Sequence, residues 1–399
     1  MKKLSGILLY ILIGLSTPSF GQSIDIHQYF DEVENLEVSL ITAAPSELVY
    51  GTWGHSALRL RSLNGTTGHD LVINYGMFDY ETEHFVSKFV RGILPYSLGI
   101  ELYDDFLVNY LERDQRLTEQ VLNLNHEKKK KLLHLINVNL LPENRVYRYD
   151  HFKDNCATRI RDLIEACYAD ELSYSWGNSN EKKYSEETFI DLIEPFVRRK
   201  PWLEFGTDIL LGYPASQHAT YRDRMFLPDN MMKAYEDASI VREGQRIPLV
   251  RDTRIINDGK ELPQPSSLSS PMVAFSFILF FIFILSLVEF RYKRWFWGLD
   301  ALWLLFMGVI GCLFLFMWIA TTHWSTYANL NLIWANPLFL LGILILRGSK
   351  ARYLGSLLLW VPLAMCFVAL TGIQQLAPAT YLIGLVHGIR GYRILRFSK

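Results

Sequence analysis

The stretch DNCATRIRDLIEAC, residues 154–167, carries the features that decide the fold of the N-terminal half of the chain. Its apolar residues, from Ile160 to Cys167, recur at the spacing of one helix face, and an Asp or Asn just before a helix is a preferred N-cap. The pattern therefore predicts a helix whose first turn contains Cys156, with the thiol on the face that packs inward.

The position of Cys156 allows two interpretations. At the start of a helix, free backbone amides and the positive end of the helix dipole lower the pKa of a thiol, and Arg159 adds a nearby positive charge. A free cysteine is, however, most commonly a small buried hydrophobe. Cys167 lies about 16 Å further along the helix at the usual rise, which is too far for a disulfide. Cys156 is thus a free thiol, either reactive or simply buried, whereas Cys167 is expected to be a core residue.

A second stretch, GTWGHSALRLRSLNGTTGHDLVINYG at residues 51–76, is typical of a β-hairpin. Leucines alternate with arginines before an Asn-Gly pair, which is a strong turn signal. With the loop at residues 64–67, Asn74 lies opposite Ala57, on the same face as His55 and one diagonal step away. A slip by one residue would move Asn74 to the other face.

A histidine at the start of a hairpin and a cysteine at the start of a helix together favour a thiol nucleophile with an imidazole base. His55 taken alone is also compatible with a purely structural histidine. His151, five residues before Cys156, is a second candidate for the base.

The composition limits the classes of protein to consider. The 399 residues include 40 Lys+Arg and 41 Asp+Glu, so no global basic field favours nucleic-acid binding. Hydrophobic residues make up 50% of the chain, which excludes a disordered protein. Four cysteines without a CxxC pair exclude a disulfide-stapled scaffold and a thiolate zinc site. No metal or cofactor is expected.

The N-terminal part of the chain reads as an exported domain. Two lysines, an apolar run and a small-residue cleavage site predict a secretory signal peptide over residues 1–21, with an uncleaved anchor as the alternative. Residues 22–252 form the exported domain, which includes a strand at 118–124 and a helix at 127–141. The Pro- and Ser-rich residues 253–270 are predicted to be a linker.

The C-terminal part, residues 271–399, is predicted to be a membrane domain of five helices. The apolar segments are 272–290, 297–320, 332–346, 354–371 and 378–389. Basic residues follow the first, third and fifth segments, and the fifth is followed by a tail that includes Arg390 and Arg393. The other two connections carry no Lys or Arg. By the positive-inside rule the basic connections and the C-terminus are cytoplasmic.

The outward connection that begins at residue 321 is rich in hydroxyl and amide side chains. Such residues commonly cap helices, with Trp as an interfacial anchor. The alternative is that His323, Asn329, Asn331 and Asn336 line a polar pocket for a lipid headgroup or an acyl carbonyl.

The order of His before Cys, on a strand and then at a helix start, resembles the circularly permuted papain-like enzymes of the NlpC type. The motifs are Gly54-His55, Asn74-Tyr75-Gly76 and Asp154-Asn155-Cys156-Ala157-Thr158-Arg159. Read together with five spans, they resemble the Lnb-type lipoprotein N-acyltransferases of bacterial inner membranes. The resemblance implies an α+β fold class, with a circularly permuted papain-like (NlpC-type) periplasmic domain followed by an all-α five-helix transmembrane bundle.

The same resemblance implies a transacylation. Cys156 would take an acyl chain from a phospholipid as a thioester, with His55 as general base, Asn74 orienting the imidazole, and Asn155 and Arg159 supporting the site. The acyl chain would pass to the α-amine of a lipoprotein's N-terminal diacylglyceryl-cysteine. The partners implied are thus a phospholipid donor, a diacylated lipoprotein acceptor and the membrane.

Two other classes of protein remain open. A membrane-anchored papain-like peptidase or peptidoglycan amidase would use the same residue pair on a soluble substrate, although it needs neither five spans nor a polar outer loop. A non-catalytic membrane sensor would make Cys156 incidental.

Overall fold

The computed structural model describes residues 25–30, 32–48, 51–64, 69–178, 181–260 and 269–397. The signal peptide predicted for residues 1–21 lies outside these ranges, as do residues 261–268 of the predicted linker. An N-terminal unit rich in β-structure is followed by a C-terminal unit made of helices, so the predicted α+β class is confirmed.

The strands of the described residues all pair in the antiparallel sense. In chain order they are β1 (Leu36–Ala43), β2 (His55–Ser62), β3 (Asp70–Met77), β4 (Pro95–Leu102), β5 (Leu117–Leu122), β6 (Val146–Arg148), β7 (Leu172–Tyr174), β8 (Gly177–Asn178), β9 (Tyr184–Thr188), β10 (His218–Thr220), β11 (Ser239–Arg242), β12 (Gln245–Pro248) and β13 (Val250–Asn257).

The α-helices are divided between the two units. Those of the N-terminal unit are α1 (Phe85–Val90), α2 (Tyr103–Leu111), α3 (His126–Leu140), α4 (Pro142–Arg145), α5 (Cys156–Tyr168), α6 (Phe189–Val197), α7 (Pro201–Leu210) and α8 (Pro228–Glu236). Those of the C-terminal unit are α9 (Pro271–Tyr292), α10 (Trp297–Ile319), α11 (Phe339–Ile345), α12 (Ala351–Thr371) and α13 (Pro378–Phe397).

The principal sheet contains seven strands in the order β13-β5-β1-β2-β3-β4-β6. Because successive residues of a strand point to opposite faces, the two faces have separate cores. One face, which includes Leu40 and Leu58, packs against α3 and α5. The other, which includes Ile41 and Val72, packs against α2. Helix α5 also contacts β2 and β3 directly, and this packing brings it to the two strands that carry the predicted base and its orienting amide.

Strands β2 and β3 form the predicted hairpin in the predicted register. Leu58 pairs with Ile73 and Arg61 pairs with Asp70, which is the alignment that sets Asn74 opposite Ala57. Most of the predicted loop lies outside the described residues. The alternation of apolar and polar residues and the Asn-Gly turn therefore predict both the hairpin and its register.

Helix α5 begins at Cys156, as the sequence predicts. The Asn155 side chain accepts a hydrogen bond from the Thr158 backbone N–H at 2.9 Å, and the Thr158 hydroxyl accepts one from the Asn155 N–H at 2.7 Å. This capping box fixes the first turn, and such caps stabilise a helix by about 1 kcal/mol. Cys167 is fully buried in the last turn, as expected of a core residue.

The N-terminal unit extends further along the chain than the sequence pattern predicts. Residues 253–257, assigned to the linker, form the second half of β13, which pairs with β5 at the edge of the sheet. Thr253 lies opposite Gln120, and Ile255 lies opposite Thr118. The boundary at residue 253 is therefore wrong, because the Pro and Ser residues that suggested a linker begin only after the strand has ended.

Three helices of the C-terminal unit, α9, α10 and α12, are long and apolar enough to cross a membrane. The third predicted span is not a helix of that length, because only Phe339–Ile345 is α-helical after a short turn at Leu330–Ile333. Pro337 cannot continue a preceding helix, and the Asn336 side chain caps the next turn by accepting from the Leu338 N–H at 3.0 Å. The fifth predicted segment forms α13, and the count of five spans stays a prediction.

Charged residues of the C-terminal unit form a buried network. Arg390 of α13 donates to Glu289 of α9 at 2.7 Å and to Asp300 of α10 at 2.6 Å, and Arg393 donates to Glu289 at 3.3 Å. All four side chains are buried. The sequence pattern treats both arginines as part of a free basic tail, whereas the structure shows that they pair with carboxylates and tie three helices together.

The connection after α10 joins the two units. The Thr322 backbone N–H donates to the Arg91 carbonyl at 3.0 Å, and its hydroxyl donates to the Gly92 carbonyl at 2.8 Å. The Trp324 indole donates to Asp150 at 3.0 Å. The loop predicted to face outward therefore contacts the N-terminal unit directly, close to the start of α5.

Candidate active site

Cys156, His55 and Asn74 meet where the start of α5 touches β2 and β3. The Cys156 thiol and the His55 imidazole are hydrogen-bonding partners, and His55 Nε2 lies 2.7 Å from Oδ1 of Asn74. Because Asn74 engages Nε2, the other ring nitrogen, Nδ1, is left for the sulfur. The structure thus brings together the three residues that the sequence nominated.

A fourth residue, Glu101 of β4, belongs to the same chain of hydrogen bonds. Asn74 Nδ2 donates to Glu101 Oε1 at 2.7 Å. An amide has its donor and its acceptor on different atoms, so this bond turns Oδ1 of Asn74 toward His55. In the pairing of β3 with β4, Glu101 lies opposite Val72 and one diagonal step from Asn74. Sequence reasoning missed Glu101 because its place on this face follows only from the pairing of β4.

The surroundings of the cysteine and the histidine shift their pKa values in opposite directions. Burial by itself lowers the pKa of His55, but the Cys156 thiolate, Asn74 and Glu101 raise it above its ordinary value. Burial likewise opposes ionisation of Cys156, but His55 and two backbone amides lower the pKa of the thiol. Together these shifts stabilise a thiolate–imidazolium pair.

The two cysteines of α5 therefore differ in chemistry. The amides that stabilise the Cys156 thiolate belong to Ser56 on β2 and to Ala157 in the first turn of α5. Cys167, by contrast, lies in the apolar core, and burial raises the pKa of its thiol to about 11. Of the two, Cys156 alone has the environment of a nucleophile.

Tyr149 follows β6, the edge strand of the principal sheet, and lies beside the Cys156 thiol. Its hydroxyl is a hydrogen-bonding partner of Cys156, and its ring stacks on that of Tyr96 at a centroid distance of 4.5 Å. Burial raises the pKa of Tyr149 well above its ordinary value, so the hydroxyl remains a donor at neutral pH. A Cβ at Gly76 would lie 3.1 Å from the Tyr149 ring. No pattern in the sequence pointed to this tyrosine.

His151, the second candidate for the base, lies in a cleft beside the site. Its ring centroid is 5.2 Å from that of Tyr149, 6.3 Å from that of Trp53 and 6.5 Å from that of His323. His151 keeps exposed surface, so these rings line an open cleft between the two units. Reduced hydration among the surrounding rings and the neighbouring His323 lower the pKa of His151, which favours its neutral imidazole. The Cys156 thiol pairs with His55, and not with His151.

The polar residues predicted to line a lipid pocket separate into two groups. His323 borders the cleft, but Asn329 and Asn331 donate to the carbonyl of Ile209 at 2.8 and 3.2 Å, and Asn336 bonds to backbone groups of its own turn. The amide oxygens of the three asparagines also accept hydrogen bonds inside the protein. The predicted pocket is therefore not lined by asparagines, which instead hold the connection against α7 and shape it.

The two residues predicted to support the site have local structural roles. Asn155 caps α5 and also donates to the carbonyls of His151 and Phe226, each at 2.8 Å. Arg159 forms a bidentate ion pair with Asp154. Its charge is therefore neutralised. The sequence suggested that Arg159 stabilises the thiolate, whereas in the structure His55 and the two backbone amides do so.

A separate cavity of about 840 Å³ lies at the junction of the two units. Its lining includes Lys153, Phe189 and His218 from the N-terminal unit and Trp324 from the connection after α10, but neither Cys156 nor His55. Among the described residues, no cluster of three His, Cys, Asp or Glu side chains has the arrangement of a metal site.

Two family models match the chain. The Lnb N-terminal periplasmic domain matches residues 27–179, which include the whole chain of hydrogen bonds from Glu101 to Cys156, and the Lnb transmembrane domain matches residues 263–399. No curated protein and no solved structure matches. Because the two matches cover both units and most of its length, the chain belongs to the Lnb-type lipoprotein N-acyltransferase family, as a periplasmic domain joined to a transmembrane domain.

Proposed function

We propose that this protein transfers an acyl chain from a phospholipid to the N-terminal amine of a lipoprotein through a thioester on Cys156. The observation that carries the proposal is the Cys156–His55–Asn74 array, in which opposite pKa shifts favour a thiolate. Membership of the family supports the acyl transfer. The array supports a thiol nucleophile with an imidazole base.

In the first half-reaction the Cys156 thiolate attacks the carbonyl carbon of a phospholipid ester. The C–S bond forms, the ester C–O bond breaks, and the His55 imidazolium gives its proton to the departing lysophospholipid oxygen. Asn74, held by Glu101, keeps the imidazole oriented during this transfer. The Tyr149 hydroxyl and the backbone N–H of Cys156 are the donors available where negative charge develops on the carbonyl oxygen.

In the second half-reaction the neutral α-amine of the lipoprotein's diacylglyceryl-cysteine attacks the thioester. The C–N bond forms, the C–S bond breaks, and His55 accepts the proton that the nitrogen loses. The thiolate–imidazolium pair is thereby regenerated, and the net change is an ester and an amine converted to an alcohol and an amide.

Transfer to an amine instead of water requires that the cleft exclude water. Trp53, Tyr149 and His151 form one side of the cleft, and His323 from the membrane domain faces them from the other, so a bound lipid rather than the empty cleft would complete the exclusion of water. The donor is a membrane lipid and the acceptor is a lipid-anchored protein, so the proposal includes the bacterial inner membrane as the location, with five spans, a periplasmic active site and a cytoplasmic C-terminus.

Substitution of the two cysteines of α5 tests the nucleophile. Cys156→Ala and Cys156→Ser are expected to abolish N-acylation, as measured by mass spectrometry of a mature lipoprotein's N-terminus, at unchanged protein level and membrane insertion. Cys167→Ala, the matched control three turns further along the helix, should retain most of the activity. Equal losses would indicate a packing defect and refute the proposal. Unchanged lipoprotein with altered cell-wall cleavage would favour the amidase class instead.

Trapping of the intermediate tests the base. Phospholipid labelled in an acyl chain should leave label on Cys156 when no acceptor amine is present, and hydroxylamine should remove it as expected for a thioester. His55→Ala should prevent the label from forming. If the label forms at the normal rate in that variant, His55 is not the base and His151 takes its place as the candidate.

A further inference from the structure

Helix α1 exposes its apolar side, which is the opposite of what is expected for a helix in water. Around its axis, Phe85, Val86, Phe89 and Val90 occupy one continuous arc, and the polar residues between them occupy the other. On the apolar arc Val86 is 71% exposed and Phe89 is 44% exposed. An apolar arc turned outward in this way indicates a neighbour that is not water.

The connection after α10 fixes the level of α1 relative to the membrane. Thr322, which follows the outer end of α10 at Ile319, bonds to the carbonyls of Arg91 and Gly92 at the C-terminal end of α1. Gly92 has φ +69°, and a Cβ there would lie 2.5 Å from the Thr322 hydroxyl, so glycine permits the contact. A six-residue helix extends only about 9 Å. The whole of α1 therefore lies beside the end of a membrane span.

The charges around α1 fit a position at the surface of a bilayer. Lys88 and Arg91 lie on the polar arc, where their long side chains reach the level of lipid phosphates when the apolar arc is in the acyl region. The acidic residues of this segment, Asp79, Glu81 and Glu83, all precede the helix and leave its apolar arc uncharged.

A continuous row of aromatic rings leads from α1 to the nucleophile. The rings are, in order, Phe89, Phe85, Phe78, Tyr96 and Tyr149, with successive centroids 6.2, 5.9, 5.3 and 4.5 Å apart. The last of them, Tyr149, hydrogen-bonds to Cys156. The row therefore connects the exposed face of α1 to the thiol through packed rings, of which Tyr96 is buried and the other four keep some exposed surface.

We propose that α1 inserts its apolar arc into the leaflet on the periplasmic side, and that a phospholipid enters the active site there with one acyl chain along the aromatic row. The insertion of α1 is inferred from its exposed apolar arc, from its position beside the end of a membrane span, and from the basic residues on its polar arc. That the entering lipid is the acyl donor rests on the proposed function.

Photo-cross-linking of the full, unsubstituted chain tests insertion independently of catalysis. The protein is reconstituted in vesicles of phosphatidylethanolamine and phosphatidylglycerol with a trace of phospholipid that carries a diazirine in an acyl chain. Mass spectrometry should find lipid adducts on residues 85–90 as well as on the membrane spans. Helix α3, with its exposed Val138, is the water-facing control and should carry none. Adducts confined to the spans overturn the insertion.

A substitution on the apolar arc, at a residue outside the aromatic row, tests the entry of the donor. With Val86→Asp, acylation of Cys156 by bilayer phospholipid should fall by roughly tenfold or more, because charged groups are excluded from the acyl region. Acylation by a water-soluble nitrophenyl ester should be unchanged. Val138→Asp is the matched control and should leave both rates unchanged. Undiminished acylation from the bilayer overturns the entry route, and so does an equal loss with both donors, because it places the defect within the site.

Failure of the proposed function would give a different pattern. If the parent protein forms no acyl-Cys156 from either donor, the acyltransferase proposal fails, whereas the cross-linking result still decides whether α1 lies in the leaflet.

Discussion

Replacement of Glu101 by glutamine should slow the acylation of Cys156 while leaving the fold intact. The Glu101 carboxylate accepts from Nδ2 of Asn74 at 2.7 Å, and Oδ1 of Asn74 in turn lies 2.7 Å from Nε2 of His55. Glutamine preserves the size of the side chain and one acceptor oxygen, but it removes the negative charge from the end of this series of hydrogen bonds.

The magnitude follows from the loss of that charge. A hydrogen bond to a charged group contributes about 1.5–3 kcal/mol and a neutral one about 0.5–1.5 kcal/mol, so the substitution removes about 1–1.5 kcal/mol. If the loss is felt fully in the transition state, acylation slows by roughly 5- to 15-fold. Glu101→Ala should be slower still, because the Asn74 amide then loses the partner that sets its orientation.

The ionisation of Cys156 provides a second assay. Its result would not change if Glu101 had a purely structural role. Glu101 helps to raise the pKa of His55, and protonated His55 lowers the pKa of the thiol. Without the carboxylate, less of Cys156 is thiolate at neutral pH, and its alkylation by iodoacetamide should require a higher pH. Asp105→Asn, which removes a nearby carboxylate that affects the pKa of Glu101, is the control. An unchanged acylation rate together with an unchanged alkylation profile in Glu101→Gln would refute the reasoning.

At pH 7, iodoacetamide should modify Cys156 in the folded protein and spare Cys167, whose pKa is raised to about 11; peptide mass mapping measures both, and equal modification would contradict the assigned environments. Asn331→Ala should lower the free energy of unfolding by about 1–3 kcal/mol, because buried partners lose their hydrogen bonds, with acyl transfer per folded molecule unchanged; slower transfer at normal stability would return this residue to the active site. Arg390→Met should lower the stability in detergent by about 3–5 kcal/mol, because it leaves buried carboxylates unpaired, and Glu289→Gln added to it should recover part of the loss; an unchanged melting temperature in Arg390→Met would show that the network contributes little.

The parts of the site that the sequence predicts are those fixed by local rules. Alternation of period two, together with an Asn-Gly turn, sets the register of β2 and β3, and with it the neighbourhood of His55 and Asn74. A cap residue followed by helical periodicity places Cys156 in the first turn of α5. Each of these inferences uses residues that are close together in the chain.

The parts that were missed depend on contacts between distant segments. Glu101 joins the site only because β4 pairs with β3 after the excursion that contains α1. By residue type alone, Asn329 and Asn331 resemble residues that line a polar pocket. Their hydrogen-bond partners, however, are carbonyls of α7, more than a hundred residues away in the chain. Hydrogen bonds of this kind carry no signal in a single sequence.

The membrane domain shows a different limit of sequence reasoning. Hydropathy averaged over a segment predicted a helix at 332–346 but did not register the break at Asn336-Pro337. The same averaging treated Arg390 and Arg393 as exposed positive charges, although each is buried against a carboxylate. A basic residue that pairs with a carboxylate on another helix packs inside the bundle, whereas one without such a partner remains exposed and can orient a span.

The buried network also imposes an order on biogenesis. Glu289 and Asp300 precede Arg390 by 101 and 90 residues, so during synthesis the first two helices reach the membrane with acids that lack their cationic partner. A bilayer tolerates such groups poorly. Arrival of α13 neutralises both acids at once, and this helix thus acts as a checkpoint: a chain in which it is missing or misplaced displays two acids without a cation to the proteases that survey the membrane.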